Sequence, residues 1–339
     1  VKLRHLAPLC LLAACAARPH PVPDDPRWLT YRGGDGPGAG KHIVLIAAEQ
    51  EYRSEESLPM LAKILAERHG FDCTVLFALD RNGMVNPTEE APPKDPEVRN
   101  NIPGLEHLAA ADLLILSNRF MKLPDNQLQR FVDYLESGKP LIGIRTANHG
   151  FWGPFPYEVG GKRVRFGDDV LGGEFRGHHG GWHSEATRGI VVEANRDHVI
   201  LRGVADVFGT SDVYRTYPVG KGLPEGCTPL LLGQPLKGLK PDDAPNTDKE
   251  ALPVAWAKTW TGNGGKTARV FHTTMGSARD FACEDLRRLV VNASYWCLGM
   301  EQALASRADV AIVGTYAPRE AGFDYARLDV MPRPPAAFR

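Results

Sequence analysis

Residues 42–70 read HIVLIAAEQEYRSEESLPMLAKILAERHG, and this stretch decides the fold. His42 to Ala48 is an unbroken apolar run of strand length, the pattern of a strand buried on both faces. Five polar residues follow, Glu49 to Arg53. Ser54 or Ser57 is placed to cap a helix, with Pro59 tolerated in its first turn. Leu58, Leu61, Ile64 and Leu65 then share one helical face, and Gly70 ends the helix. Strand, polar turn and amphipathic helix together make the first half of a βαβ unit.

The same grammar continues outward. Thr74 to Leu79, Asp112 to Leu116 (DLLIL) and Leu141 to Arg145 (LIGIR) read as further strands. Pro124 and Asp125 open a helix carrying Leu128, Phe131, Val132 and Leu135 at helical spacing, and Gly138 stops it. Later strands are expected at Ile190 to Glu193, Pro229 to Leu232, Val254 to Ala257 and Ala268 to Thr273, before a last helix from about Glu284 to Leu298. The alternation predicts an α/β fold: a doubly wound, mostly parallel sheet with helices on both faces. No internal repeat is present.

Composition bounds the function classes. The chain has 339 residues, 43% hydrophobic and 24% charged, which is globular rather than disordered. Its formal net charge is −1, with Lys and Arg spread along the chain, so no basic stripe exists to engage a nucleic acid backbone. No apolar run reaches about 18 residues, the length a membrane-spanning helix needs.

Residues 1–15, VKLRHLAPLCLLAAC, have the layout of an export signal: Lys2 and Arg4, then a short apolar core. The ending Leu12-Ala13-Ala14-Cys15 resembles the bacterial lipobox, which predicts lipid on Cys15 and an exported lipoprotein, with outer-membrane placement facing the periplasm suggested by Ala16. An ordinary cleaved signal, giving a periplasmic protein, or a misassigned start (position 1 is Val) are the alternatives. Contact with a membrane is expected only through that anchor. Residues 16–40, rich in Pro, Gly and Asp, read as a tether and lead-in loop, 41–300 as the domain, and 301–339 as an irregular tail able to pack back or mediate homo-oligomer formation. The Pro-rich end is expected to be loosely held. Cys73, Cys227, Cys283 and Cys297 form no C-x-x-C pair, and no disulfide is assigned.

In a parallel sheet, ligands bind beyond the carboxyl ends of the strands, so the residues there are the candidates. After the first strand come Glu49, Gln50, Glu51, Tyr52 and Arg53; after the third, Ser117, Asn118 and Arg119; after the fourth, Arg145, Thr146, Asn148 and His149. Together they predict a polar ligand pocket. Residues 174–185, EFRGHHGGWHSE, add His178, His179 and His183 around Trp182. Imidazoles this dense suit a divalent metal such as zinc, although Gly180 and Gly181 argue against a helical pair and the third ligand is open. The alternative is a loop that contacts a sugar, with Trp182 stacking on a pyranose face. GGDGPGAGK (33–41) is rejected as a phosphate loop, because it precedes the first strand and has Asp35 where the first Gly belongs. Tyr157 to Phe166 reads as a hairpin with a Gly-Gly turn, His272 as a core histidine, and Asp280 equally as a cap or a rim residue.

Several stretches together resemble the ThuA-like family, named for trehalose utilisation: IVLIAAEQEYRSEESLPML, LPDNQLQRFVDYLESGKPLIGIRTANHGF, GGEFRGHHGGWH and PVAWAKTWTGNGGKTARVFHTTMGSARDF. The resemblance spans roughly residues 42–300 and implies a flavodoxin-like fold related to the class I glutamine amidotransferase domain. That superfamily places a nucleophilic cysteine at the turn after a central strand, where this chain has Arg145, so glutaminase chemistry is not expected. The family often has His near this turn, where this chain has His149 four residues on; its terminal Gly-His appears here as Gly276-Ser277.

The resemblance implies a small-molecule carbohydrate as partner and an enzyme acting on a sugar or keto-sugar by isomerisation, elimination or hydrolysis. Glu49, Glu51, Arg145 and His149 are the catalytic candidates; Tyr52, Arg53, Asn118, Arg119, Asn148 and Trp182 are candidates for substrate binding; His178, His179 and His183 for metal. A non-catalytic carbohydrate-binding lipoprotein using the same pocket is the alternative.

Overall fold

The computed structural model describes residues 20–339, so the expected signal and Cys15 lie outside the described residues. The apolar run forms β2 (His42–Ala48), buried along its whole length. Ile43, Leu45 and Ala47 face one side of the sheet, Val44, Ile46 and Ala48 the other. α1 (Ser54–His69) follows, then β3 (Asp72–Phe77), β4 (Leu113–Asn118), α2 (Asp125–Glu136) and β5 (Leu141–Ile144). An exposed hairpin, β6 (Glu158–Val159) and β7 (Lys162–Arg163), comes next, as its Gly-Gly turn predicts. β8 (Thr187–Val191), β9 (Val207–Gly209), β10 (Thr228–Pro235), β11 (Leu252–Thr261), β12 (Thr267–Thr273) and α3 (Glu284–Cys297) complete the order.

The sheet runs β3-β2-β4-β5-β12 with every neighbour parallel. α1 and α3 cover one face, with Leu58, Leu61, Leu65, Leu286 and Leu289 in the same core as Ile43, Val75 and Ile142. α2 covers the other, where Phe131, Val132 and Leu135 meet Val44, Ile46 and Leu116. The later strands depart from the parallel expectation. β11, β10, β8 and β9 extend the sheet antiparallel, with no α-helical crossover among the connections between them. β11 is far longer than Val254 to Ala257, since its polar residues alternate toward the exposed face and hide the strand from an apolar-run reading.

Three local expectations are corrected. Neither Ser54 nor Ser57 caps α1; Ser54 Oγ instead donates to the Glu49 carbonyl at 3.0 Å, and Arg53 turns the chain with φ of 62°. The stretch 16–40 is more than a tether: Trp28–Tyr31 forms β1, an antiparallel edge strand on β3. Its glycines allow close approach, since a Cβ on Gly33 would sit 2.1 Å from the Gly70 carbonyl oxygen. The Pro-rich end is docked as well. Arg333 and Val85 exchange backbone hydrogen bonds, Phe338 packs on Phe77, and the Arg339 guanidinium donates to the Thr30 carbonyl. No helix among the described residues is long and apolar enough to cross a membrane.

Candidate functional site

The chain reverses its progress across the sheet between β2 and β4, and the loops after these strands flank the place where sheets of this kind form a ligand crevice. Arg119 Nε lies 3.3 Å from Glu51 Oε2, an ion pair across that crevice. Glu51 is the hub. Its Oε1 accepts from Trp182 Nε1 at 2.7 Å and from His183 Nε2 at 3.2 Å. Burial opposes its charge, yet the hydrogen bonds of His183 and Trp182 with Arg119 pull its pKa down to about 2. It is a permanent carboxylate at neutral pH.

Glu49 serves a different purpose. Its two carboxyl oxygens accept the backbone N–H groups of Glu51 and Tyr52 at 2.5 and 2.6 Å, so it shapes the turn that presents Glu51. Burial and the neighbouring Glu51 push its pKa up to about 7. Arg53 points away from the crevice: fully buried, it holds the Gly322 and Glu320 carbonyls of the tail.

Arg145 occupies the sharp turn after β5 with φ of 46°, a left-handed conformation that costs energy for a side chain and marks an elbow. Its guanidinium is fully buried, 4.1 Å from both the Tyr52 and Tyr214 ring centroids. Nη1 donates to the carbonyls of Thr274 and Asp212, and Nη2 to Asp212 Oδ1 at 2.9 Å. Burial works against its charge, and Tyr214, Tyr52 and Asp212 outweigh it. A side chain so enclosed organises the site; it does not reach a ligand. The carboxylate that pairs with Arg145 is Asp212, neither of the candidate glutamates Glu49 and Glu51.

Asp212 has a second partner. Its Oδ2 accepts from His178 Nδ1 at 2.7 Å, while Oδ1 is held by Arg145. The His178 side chain is 36% exposed, so solvent reaches an imidazole that a buried carboxylate holds at Nδ1.

His149 bonds to Asn148 Oδ1 at 2.8 Å and packs among Phe120, Phe175 and Tyr214. Burial, with Arg119 and Arg145, pushes its pKa well below the ordinary imidazole value, so it is neutral at pH 7. Asn148 donates to the Gly173 carbonyl and holds that loop. Asn118 is buried with neither amide atom paired, beneath Gly150, where a Cβ would come 2.1 Å from Asn118 Oδ1.

The three loop histidines diverge. His178 faces Asp212, His183 faces Glu51, and His179 lies between the Glu250 carbonyl and Arg215. Among the described residues no three His, Cys, Asp or Glu side chains converge as a metal cradle, and each loop histidine has a separate partner. His272 is a core histidine, as its place in a strand predicts, bonded to the Gly143 carbonyl. Asp280 is a buried turn anchor, accepting from the backbone of Gly276, Ser277 and Ser211.

Sequence reasoning left out two contributions: Tyr214 and the orienting role of Asp212. Asp212 and Tyr214 are two apart in an extended segment that bridges to His178, so both reach one side. That i, i+2 spacing in SDVYR was the available signal.

The family model ThuA, described as trehalose utilisation, matches residues 44–297. Among solved structures, the chain is similar to a thua-like protein from Bacteroides uniformis ATCC 8492, at 17% identity over 78% of this chain and 93% of that one, with a TM-score of 0.47. A thua-like protein from Parabacteroides merdae ATCC 43184 is 16% identical over 84% of this chain and 95% of that one, with a TM-score of 0.46. No curated protein matches the chain.

Proposed function

Because the chain belongs to the ThuA family of trehalose utilisation, we propose that it is an exported, lipid-anchored enzyme acting on a sugar or keto-sugar by acid–base chemistry. One observation carries the chemistry: His178 is oriented by a buried Asp212 that Arg145 fixes in turn. A carboxylate on Nδ1 sets the tautomer and leaves Nε2 as the base. His178 removes a proton from the carbon beside a sugar carbonyl. The oxygen that gains charge accepts hydrogen bonds from the Arg119 guanidinium, whose Nε alone is committed to Glu51. Glu51, ionised throughout, keeps Arg119 and the Trp182 indole in place. Glu49 and Arg145 support these groups from beneath.

The test is turnover of a panel of sugars and 3-keto-sugars by wild type, His178→Ala and Asp212→Asn, with binding measured alongside. Turnover is expected to fall about 10²–10⁴-fold in both variants while binding persists. Variants that turn over like wild type would remove His178 from the chemistry. A wild type that binds sugar and converts none would leave the binding-lipoprotein reading. Stoichiometric zinc in the purified protein, lost in the His178/His179/His183 triple alanine variant, would replace this mechanism with a metal-assisted one.

A further inference from the structure

The tail beyond the family match reaches the site. Gly322 N–H donates to the Glu51 carbonyl at 2.9 Å, and the Gly322 carbonyl accepts from Arg53. The Tyr325 ring lies over Arg53, and Glu320 pairs with Arg279 at 3.0 Å. Both flanks of residues 320–325 are therefore fastened to elements of the sheet domain, Arg53 at the start of α1 being fully buried for that purpose.

This anchoring presents Phe323. Its ring centroid is 6.4 Å from that of Trp182, at 40° to it, and 5.3 Å from the Arg119 guanidinium carbon. The two rings remain open, Trp182 at 48% and Phe323 at 40% exposure. For large aromatic side chains in contact with each other, such exposure leaves apolar surface in water that a ligand could cover. The indole is locked by its bond to Glu51, and Arg119 is flanked by Phe323 on one side and Phe120 on the other. An aromatic ledge beside a guanidinium with free Nη groups matches a ring sugar, which offers an apolar C–H face and a rim of oxygen acceptors.

We propose that Trp182, Phe323 and Arg119 form a pyranose subsite, one wall of which is supplied by the C-terminal tail. The proposal rests on the carbohydrate reading above and adds the residues that grip the ring. The rings meet at an angle and stand too close for a sugar to slide between them, so the sugar lies across the ledge. Its oxygens then face Arg119, and its reacting carbon is directed toward His178, whose ring is 6.0 Å from that of Trp182.

Calorimetric titration of the full chain with trehalose, glucose and 3-keto-glucose tests it, using wild type, Phe323→Ala, Phe323→Trp and Trp182→Ala. The tightest-binding sugar of the three should bind about tenfold more weakly to Phe323→Ala and Trp182→Ala, and near wild-type strength should return in Phe323→Trp. Circular dichroism and thermal unfolding of each variant separate lost binding from lost folding, and Phe323→Trp keeps the tail packed. If wild type binds and Phe323→Ala binds equally well, the tail is no part of the site and the subsite is wrong while the carbohydrate reading stands. If wild type binds none of the three sugars, the carbohydrate reading and the subsite fall together.

Discussion

Two buried glutamates, Glu49 just after β2 and Glu55 in the first turn of α1, contribute a pH dependence opposite to the usual carboxylate case. Glu55 is pushed up to about 8 by burial, which the Arg53 guanidinium 3.7 Å away only partly offsets. Its Oε2 has no partner. A carboxyl whose folded pKa lies above its unfolded value binds its proton more tightly when folded. Its contribution to stability is full below the unfolded value near 4.5 and is lost as pH rises toward 8. Glu49 acts in the same direction over a narrower range, up to about 7. Buried neutral His42, His149 and His272 act in the opposite sense over the same range, so the readout is the difference between proteins. Between pH 5 and pH 8, urea unfolding should show Glu55→Gln gaining about 1–3 kcal/mol relative to wild type. The same change in both proteins would show that Glu55 ionises normally. Glu51, drawn down to about 2, behaves conventionally: its contribution persists through neutral pH and disappears only in strong acid.

At the scale of elements, β1 carries a prediction that follows from its place at the sheet edge. Trp28 and Leu29 are 5% and 1% exposed, and the strand shields β3. A chain beginning at residue 41 should lose roughly 3–6 kcal/mol, at about 1.5–3 kcal/mol for each of these side chains, seen as a lower urea midpoint. An unchanged midpoint would return 16–40 to the role of tether. The contrast with β2 shows what is legible in a sequence. A strand covered on both faces must be apolar throughout, so HIVLIAA, DLLIL and LIGIR declare themselves. WLTY and the three residues of β9 are short and lie among Pro, Gly and charged residues, so they carry no comparable pattern. The site divides the same way. Parallel topology brings 49–53, 118–119 and 145–149 to one end of the sheet from sequence alone. The partnership of Arg145 with Asp212 joins residues far apart with no periodic relation, and the Gly322–Glu51 bond joins the crevice to a segment whose sequence has no regular pattern.

The described residues centre on a ten-stranded sheet, with the candidate site at the carboxyl ends of its parallel strands and the tail running from α3 back across that end to β1. If Cys15 carries lipid, cell fractionation should place wild type with membranes and Cys15→Ser in the soluble fraction; a soluble wild type would remove the anchor. The elbow residue also governs how the molecule meets electrophiles. A thiol in that place would be a target for alkylating and oxidising reagents. Arg145 cannot be alkylated by such reagents and is enclosed in any case. Cys73 and Cys297 are buried with their pKa values pushed up by burial, and Cys227 is raised by the same cause, which leaves little thiolate at these three positions. Iodoacetamide should therefore leave Cys73, Cys227 and Cys297 unmodified, whereas diethyl pyrocarbonate, which acylates accessible imidazoles, should abolish the proposed activity through His178. A covalent probe for the proposed site would have to be built around an imidazole-directed warhead rather than one aimed at a thiol.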